Sequence, residues 1–195
     1  AYLQGGQVRF ESRVIVGMKT WPTPILNATL THIVFNPKWH VPQKIAIKEV
    51  IPDIRKDAEY LGKKRMRVFA TGEGGTEEID PETVDWSDPN LEAGRYIFRQ
   101  DSGDANALGR IKFLFPNKYD VYLHDTPNRS FFQRDFRALS HGCIRVERPL
   151  DLAELVFSRE TDWPRKKIEG AIARGQEQFV KLSDPIPVHL YYRTA

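Results

Sequence analysis

Turn residues cut this chain into short runs of β-branched and aromatic residues, and that rhythm limits the folds open to it. Residues 8–17, 28–35, 65–70, 94–100, 109–115 and 187–193 each read as a strand or hairpin arm. Trp21-Pro22-Thr23-Pro24, Asn36-Pro37, residues 101–106 and Pro116-Asn117 read as the turns between them. Helical spacing is rarer. Pro42 opens a stretch in which Ile47, Ile51, Ile54, Ala58 and Leu61 form one apolar stripe, which Pro52 is expected to split in two and Gly62 to end. Pro149 is placed to start a helix carrying Leu152, Leu155 and Val156. Asp162 is placed to cap another, carrying Ile168, Ala171 and Ile172 and stopped by Gly175. Strand runs outnumber helical ones about two to one, and few of them alternate as strand–helix–strand, which predicts a mainly β, α+β chain of largely antiparallel sheet with attached helices.

Composition narrows the class. At 195 residues the chain is one large domain, or a domain with an insertion, and 41% hydrophobic content suffices for a core. A mean hydropathy of −0.49 with 28% charged residues predicts solubility in water, and the absence of a long apolar run predicts no membrane span. The net charge of +3 is mild. Lys63-Lys64-Arg65 and Arg165-Lys166-Lys167 are short clusters without aromatic interleaving, so they read as solvated surface and not as a nucleic-acid interface. A basic surface would suit an anionic polymer. The single cysteine excludes an intrachain disulfide and leaves the redox compartment open. Residues 1–6 read as a trimmed start, so the lack of a signal peptide carries no information about compartment. Residues 71–90 are acidic and poor in apolar side chains, and read as a loop or a short helix-bearing insertion.

The chemistry concentrates between Tyr122 and Arg145. The only cysteine, Cys143, follows Ser140-His141-Gly142, and His124 lies upstream at the end of an alternating run from Tyr119. In a strand, Val121 and Leu123 would face a core while Asp120, Tyr122 and His124 face a groove. A thiol becomes a good nucleophile once it loses its proton, and imidazole takes that proton near neutral pH. Residues 128–139 are polar and Arg-rich, and long enough to return Cys143 to His124. Gly142 permits close backbone approach, and the amides of Gly142 and Cys143 are placed to hold an oxyanion. Arg145, if extended, faces the same pocket, where it would hold a carboxylate or favour the thiolate.

His124 and Ser140-His141-Gly142-Cys143 match the signature of the L,D-transpeptidase (YkuD) catalytic domain, and the resemblance runs from about Val14 to Tyr192. Ile33-Val34-Phe35-Asn36-Pro37, Trp39, Val41-Pro42, Lys48-Glu49, Leu108-Gly109-Arg110 and residues 112–117 resemble the larger Gram-negative members of the YcbB type. The resemblance implies a β-sandwich-like core, with residues of about 42–106 inserted as a capping subdomain within a single 1–195 catalytic domain. It implies Cys143 as nucleophile, His124 as base, Tyr122 as a pocket tyrosine, and Ser140, His141 and Gly142 as the neck of the motif. His141 either moves protons or shapes the loop; Trp86, in the insertion, is expected to touch substrate. Arg145 stands where many small members have Asn, and agrees with the YcbB type. The implied reaction cross-links peptidoglycan stem tetrapeptides, donor and acceptor, through a Cys143 thioester with loss of terminal D-Ala. It uses no cofactor and no metal, takes place in the periplasm, serves cell-wall biogenesis and cell shape, and is blocked by carbapenem-type β-lactams.

Three rivals use the same residues. Water in place of the acceptor amine gives an L,D-carboxypeptidase or amidase. His124, His141 and Cys143 as three zinc ligands would need a fourth that the spacing does not offer. A wall-binding module with a dead site would leave Cys143 unreactive. His32 and His189 read as hydrogen-bonded structural residues, and His40 as surface or groove lining.

Overall fold

In a computed structural model of the chain, residues 1–72, 75–88, 91, 94–159 and 162–192 are described. The chain forms two compact units, Ala1–Pro37 with Leu108–Ala195, and Lys38–Ala107. Strands predominate, with a few helices attached, as the turn-punctuated pattern predicts.

The first unit opens with a hairpin of β1 (Tyr2–Gln4) and β2 (Gln7–Phe10). Gly5 and Gly6 make its turn, both at positive φ (59° and 77°), the backbone twist that suits a two-residue hairpin. Residues 1–6 are therefore part of the fold, and Tyr2 packs against the main core.

Next comes a sheet in the order β11 (Ala138–Ser140), β3 (Val14–Gly17), β12 (Ile144–Val146), β10 (Leu123–His124), β9 (Ile111–Leu114), β4 (Leu26–Phe35), β13 (Gln178–Leu190). The β11–β3 and β10–β12 pairs are parallel and the rest antiparallel. Alternation sends Ile111 and Phe113 of β9, with Ile33 and Phe35 of β4, to one face. Helices α4 (Pro149–Phe157) and α5 (Arg165–Ala173) bury that face with Ala153, Val156, Phe157, Ile168 and Ala171. The rings of Phe35, Phe157 and Trp163 stack there. Lys112 and Leu114 point to the opposite face.

Three local expectations change. The strand expected over residues 119–124 shrinks to Leu123–His124, because Asp120 adopts φ 53°. Asn117 holds that bend: its amide donates to the carbonyls of Phe115 (2.7 Å) and Val121 (2.8 Å), and its carbonyl accepts from the Tyr119 N–H. Helix α5 starts after Pro164 and not at Asp162, since Pro164 is itself extended (φ −65°, ψ 157°) and a proline disfavours helical backbone in the residue before it. Strand β13 begins at Gln178, well before residue 187, pairing first with Phe35 and resuming at Ile186 after a register break. Residue 193, expected at its end, lies outside the described residues. Gly175 ends α5 as expected, at φ 67° with its N–H on the Ile172 carbonyl.

The second unit is a four-stranded antiparallel sheet in the order β5 (Trp39–His40), β8 (Tyr96–Gln100), β6 (Met66–Gly72), β7 (Gly75–Ile79). The acidic segment is thus partly a strand: β7 pairs with β6 from Gly75↔Gly72 to Ile79↔Val68. A 3-10 turn, Pro81–Thr83, follows, capped by the Asp80 carboxylate on the Glu82 N–H. Pro52 does not split the helix. Gln43–Ile45 (α1), the π-helical Ala46–Val50 and Ile51–Lys56 (α2) run on without a break, followed by α3 (Tyr60–Lys63), and Pro52 falls in the first turn of α2. The wide turn advances the buried face, so Ile45, Ala46, Val50, Ile51 and Ile54 are buried while Ala58 is exposed. The break comes at Asp57, which is extended.

Candidate active site

The site is built by strand register. β10 lies between β9 and β12, with His124 opposite Lys112 on one side and Arg145 on the other. Directly paired side chains share a face. The Ile144 N–H donates to the Tyr122 carbonyl (3.0 Å), carrying the parallel pairing one step back and setting Cys143 beside Tyr122. Tyr122, His124, Cys143, Arg145 and Lys112 therefore gather on the face away from α4 and α5. Val121, Ile144 and Phe115 form a small core underneath, against which Tyr122 and Cys143 also pack.

His124 is 4% exposed. Its Nδ1 lies 2.5 Å from the Asp125 carbonyl. A carbonyl only accepts, so Nδ1 carries the proton and Nε2 the lone pair. Burial pushes the ring's pKa down to about 3; the charges of Arg145 and Lys112 act the same way, and the carbonyls of Asp125 and Leu108 oppose it. The ring is thus a neutral acceptor at neutral pH. Burial raises the Cys143 thiol, while hydrogen bonding from the Tyr122 backbone and side chain, then Lys112 and Arg145, favours the thiolate. The resting pair is a neutral thiol and a neutral imidazole, not a preformed ion pair. Cys143 is half-buried, with a long contact from Sγ to the Asp120 carbonyl (4.0 Å).

The Ser140–Gly142 neck is held by its own hydrogen bonds. The buried Ser140 Oγ donates to the Cys143 carbonyl (2.6 Å) and accepts the Gly142 N–H (3.2 Å). The Gly142 carbonyl accepts from Thr23 Oγ1 (2.9 Å), which also accepts the Gly17 N–H (2.9 Å). Gly142 sits at φ 112°, a backbone that side chains rarely adopt. These bonds alter two expectations. Ser140 shapes the turn from within, and the Gly142 amide is already engaged. The Cys143 N–H has no hydrogen bond among the described residues, so it is the available donor. His141 packs edge-on against Trp21 (4.9 Å between centroids), giving the ring a place in the loop wall.

Trp86 lies in the other unit. Its ring packs on Tyr96 and Phe98, and Nε1 donates to the Pro81 carbonyl (3.0 Å). His32 and His189 make hydrogen bonds to Thr31 and Asn27. No group of three His, Cys, Asp or Glu side chains close enough to hold a metal occurs among the described residues, so His124, His141 and Cys143 do not form one. Sequence reasoning passed over Lys112, Thr23 and Asp125. The available signal for Lys112 was a lone charge between Ile111 and Phe113 in an alternating strand; its closeness to His124 needed the register.

The chain is similar to known proteins over most of its length. The family model described as the L,D-transpeptidase catalytic domain, YkuD, matches residues 1–164. A protein of Haemophilus influenzae carrying the name "Putative L,D-transpeptidase" is 34% identical over 194 residues, which is all of this chain and 38% of that protein. The chain thus spans little more than a third of the length of that relative.

Proposed function

The chain belongs to the YkuD family of L,D-transpeptidase catalytic domains, and on that premise we propose that it cross-links peptidoglycan stem peptides through a thioester on Cys143. The observation that carries this reading is the shared face of Tyr122, His124, Cys143 and Arg145, fixed by the β9–β10–β12 register. His124 Nε2 takes the thiol proton as Sγ attacks the amide carbonyl between the L-centre of a diamino acid, meso-diaminopimelate, and the terminal D-Ala. The Cys143 N–H holds the oxyanion. The proton passes to the leaving nitrogen, D-Ala departs, and the amine of a second stem attacks the thioester and frees the thiol. Arg145 holds a substrate carboxylate, and His141 and Gly142 keep the loop in position. Carbapenems acylate the same thiol in place of the donor.

This chemistry takes place in the periplasm of a Gram-negative cell and serves wall biogenesis and shape. The capping role of residues 42–106 and the substrate contact by Trp86 belong to the same proposal. Deleting residues 72–90 is expected to impair stem turnover and spare thiol alkylation; unchanged turnover removes the cap. The direct test is incubation with a tetrapeptide stem, with and without an acceptor stem. Free D-Ala together with a cross-linked dimer supports the reading. D-Ala without a dimer points to water as acceptor, and no D-Ala from folded protein overturns it.

A further inference from the structure

The proposed reaction builds negative charge on Cys143, and until His124 has taken the thiol proton its neutral ring brings no positive charge to the site. Resting on that reading, we propose that Lys112 is a positioning residue of the site: its ammonium holds the Tyr122 ring in place and supplies the counter-charge of the Cys143 thiolate.

Four observations carry this. Lys112 lies in β9 between Ile111 and Phe113, both buried, so alternation sends it to the face that holds His124, its partner across the pair. Its Nζ stands 3.9 Å from the centroid of the Tyr122 ring, a cation–π distance. Tyr122 is the neighbour of Cys143 across the β10–β12 pair. Finally, Lys112 is half-buried and makes no close ion pair among the described residues, Glu177 and Asp120 acting on it only at longer range, so a charge forming on Cys143 would favour its ammonium. Burial lowers its pKa, and Cys143 leads the groups that raise it, ahead of Glu177 and Asp120. The charged and titratable groups around Cys143 are Lys112 from β9, Arg145 from β12, and Tyr122 with His124 around β10. Asp120 comes from the bend before β10. Of the two cations, Lys112 acts on the thiol more strongly than Arg145.

The test is the pH dependence of iodoacetamide alkylation of Cys143, read by intact mass, in wild type, Lys112→Gln and Lys112→Arg. Lys112→Gln is expected to raise the midpoint by about one pH unit, so that alkylation near neutral pH slows roughly tenfold, while Lys112→Arg stays close to wild type. An unmoved midpoint in Lys112→Gln overturns the proposal. So does an equal shift in both variants, which would mean that packing and not charge matters. Weaker stem binding with an unmoved midpoint would make Lys112 a substrate carboxylate contact instead. If Lys112→Gln does not fold, the reciprocal measurement decides: the Lys112 ammonium, followed by NMR, should titrate lower in Cys143→Ser than in wild type, and equal midpoints overturn the proposal. Alkylation needs no stem peptide. A chain that turns over stems with no midpoint shift therefore loses this inference alone, and a chain inactive on stems can still pass it.

Discussion

Replacing Gly109 by alanine strikes the support of His124 from behind. Gly109 sits at φ 62°, and a Cβ there would lie 2.5 Å from Cγ and 2.6 Å from Cβ of Asp125, and nearer still to Oδ2. Asp125 has nowhere to go. Its carboxylate accepts the Arg110 N–H (2.9 Å) and pairs with Arg129 (3.1 Å), its N–H donates to the Ile111 carbonyl (2.8 Å), and its carbonyl holds His124 Nδ1. The left-handed backbone costs an alanine about 1–2 kcal/mol. Breaking the Arg110 amide bond and leaving that group unsatisfied adds about 1–3 kcal/mol. The sum, about 2–5 kcal/mol, lowers the melting temperature of a chain this size by roughly 4–20 °C. Gly170 is the control: it lies within α5 with nothing near its would-be Cβ, so Gly170→Ala should stabilise by about 0.5–1 kcal/mol. Thermal melts followed by circular dichroism compare the two. If Gly109→Ala melts with the wild type, Asp125 moves aside freely and the steric reasoning is wrong.

Two other perturbations follow from the same geometry. Ser140→Ala removes a buried hydroxyl that bonds the Cys143 carbonyl and the Gly142 N–H, and should cost about 1–3 kcal/mol in denaturant melts while slowing acylation more than it slows alkylation; equal slowing of both would deny the turn its part in oxyanion binding. The His124 ring titrates near 3 when folded against 6.5 as a free side chain, so over that window the unfolded chain takes up a proton that the folded one refuses. The stability this gives is full above pH 6.5 and is lost as pH falls toward 3, with a slope of about 1.4 kcal/mol per pH unit. Melts of wild type and His124→Asn across that window measure it, and identical acid limbs would contradict a buried neutral ring.

The sheet-rich class is legible in the sequence, and Cys143 and His124 stand out as candidates, because each leaves a local mark: one thiol after His-Gly, and alternation closed by turn residues. What escaped depends on pairings or on side chains that organise backbone. The strand into His124 is short because Asn117 binds the bend at Asp120. Pro52 stays inside a helix because a π-helical turn precedes it, and nothing local marks that turn. The acidic segment pairs as β7 although its composition reads as loop, since an exposed edge strand pairs through its backbone while its polar side chains stay in solvent. Gly142 reads in the sequence as half of an oxyanion site; Ser140, two residues away, takes its N–H. Lys112 reads as a stray charge until the β9–β10 register sets it opposite His124.

Intact-protein mass after incubation with a carbapenem decides whether Cys143 is a nucleophile served by His124. One stable adduct is expected on the wild type, none on Cys143→Ala, and slowed formation on His124→Ala. A folded wild type that gains no mass, or a Cys143→Ala chain that still does, would contradict that role.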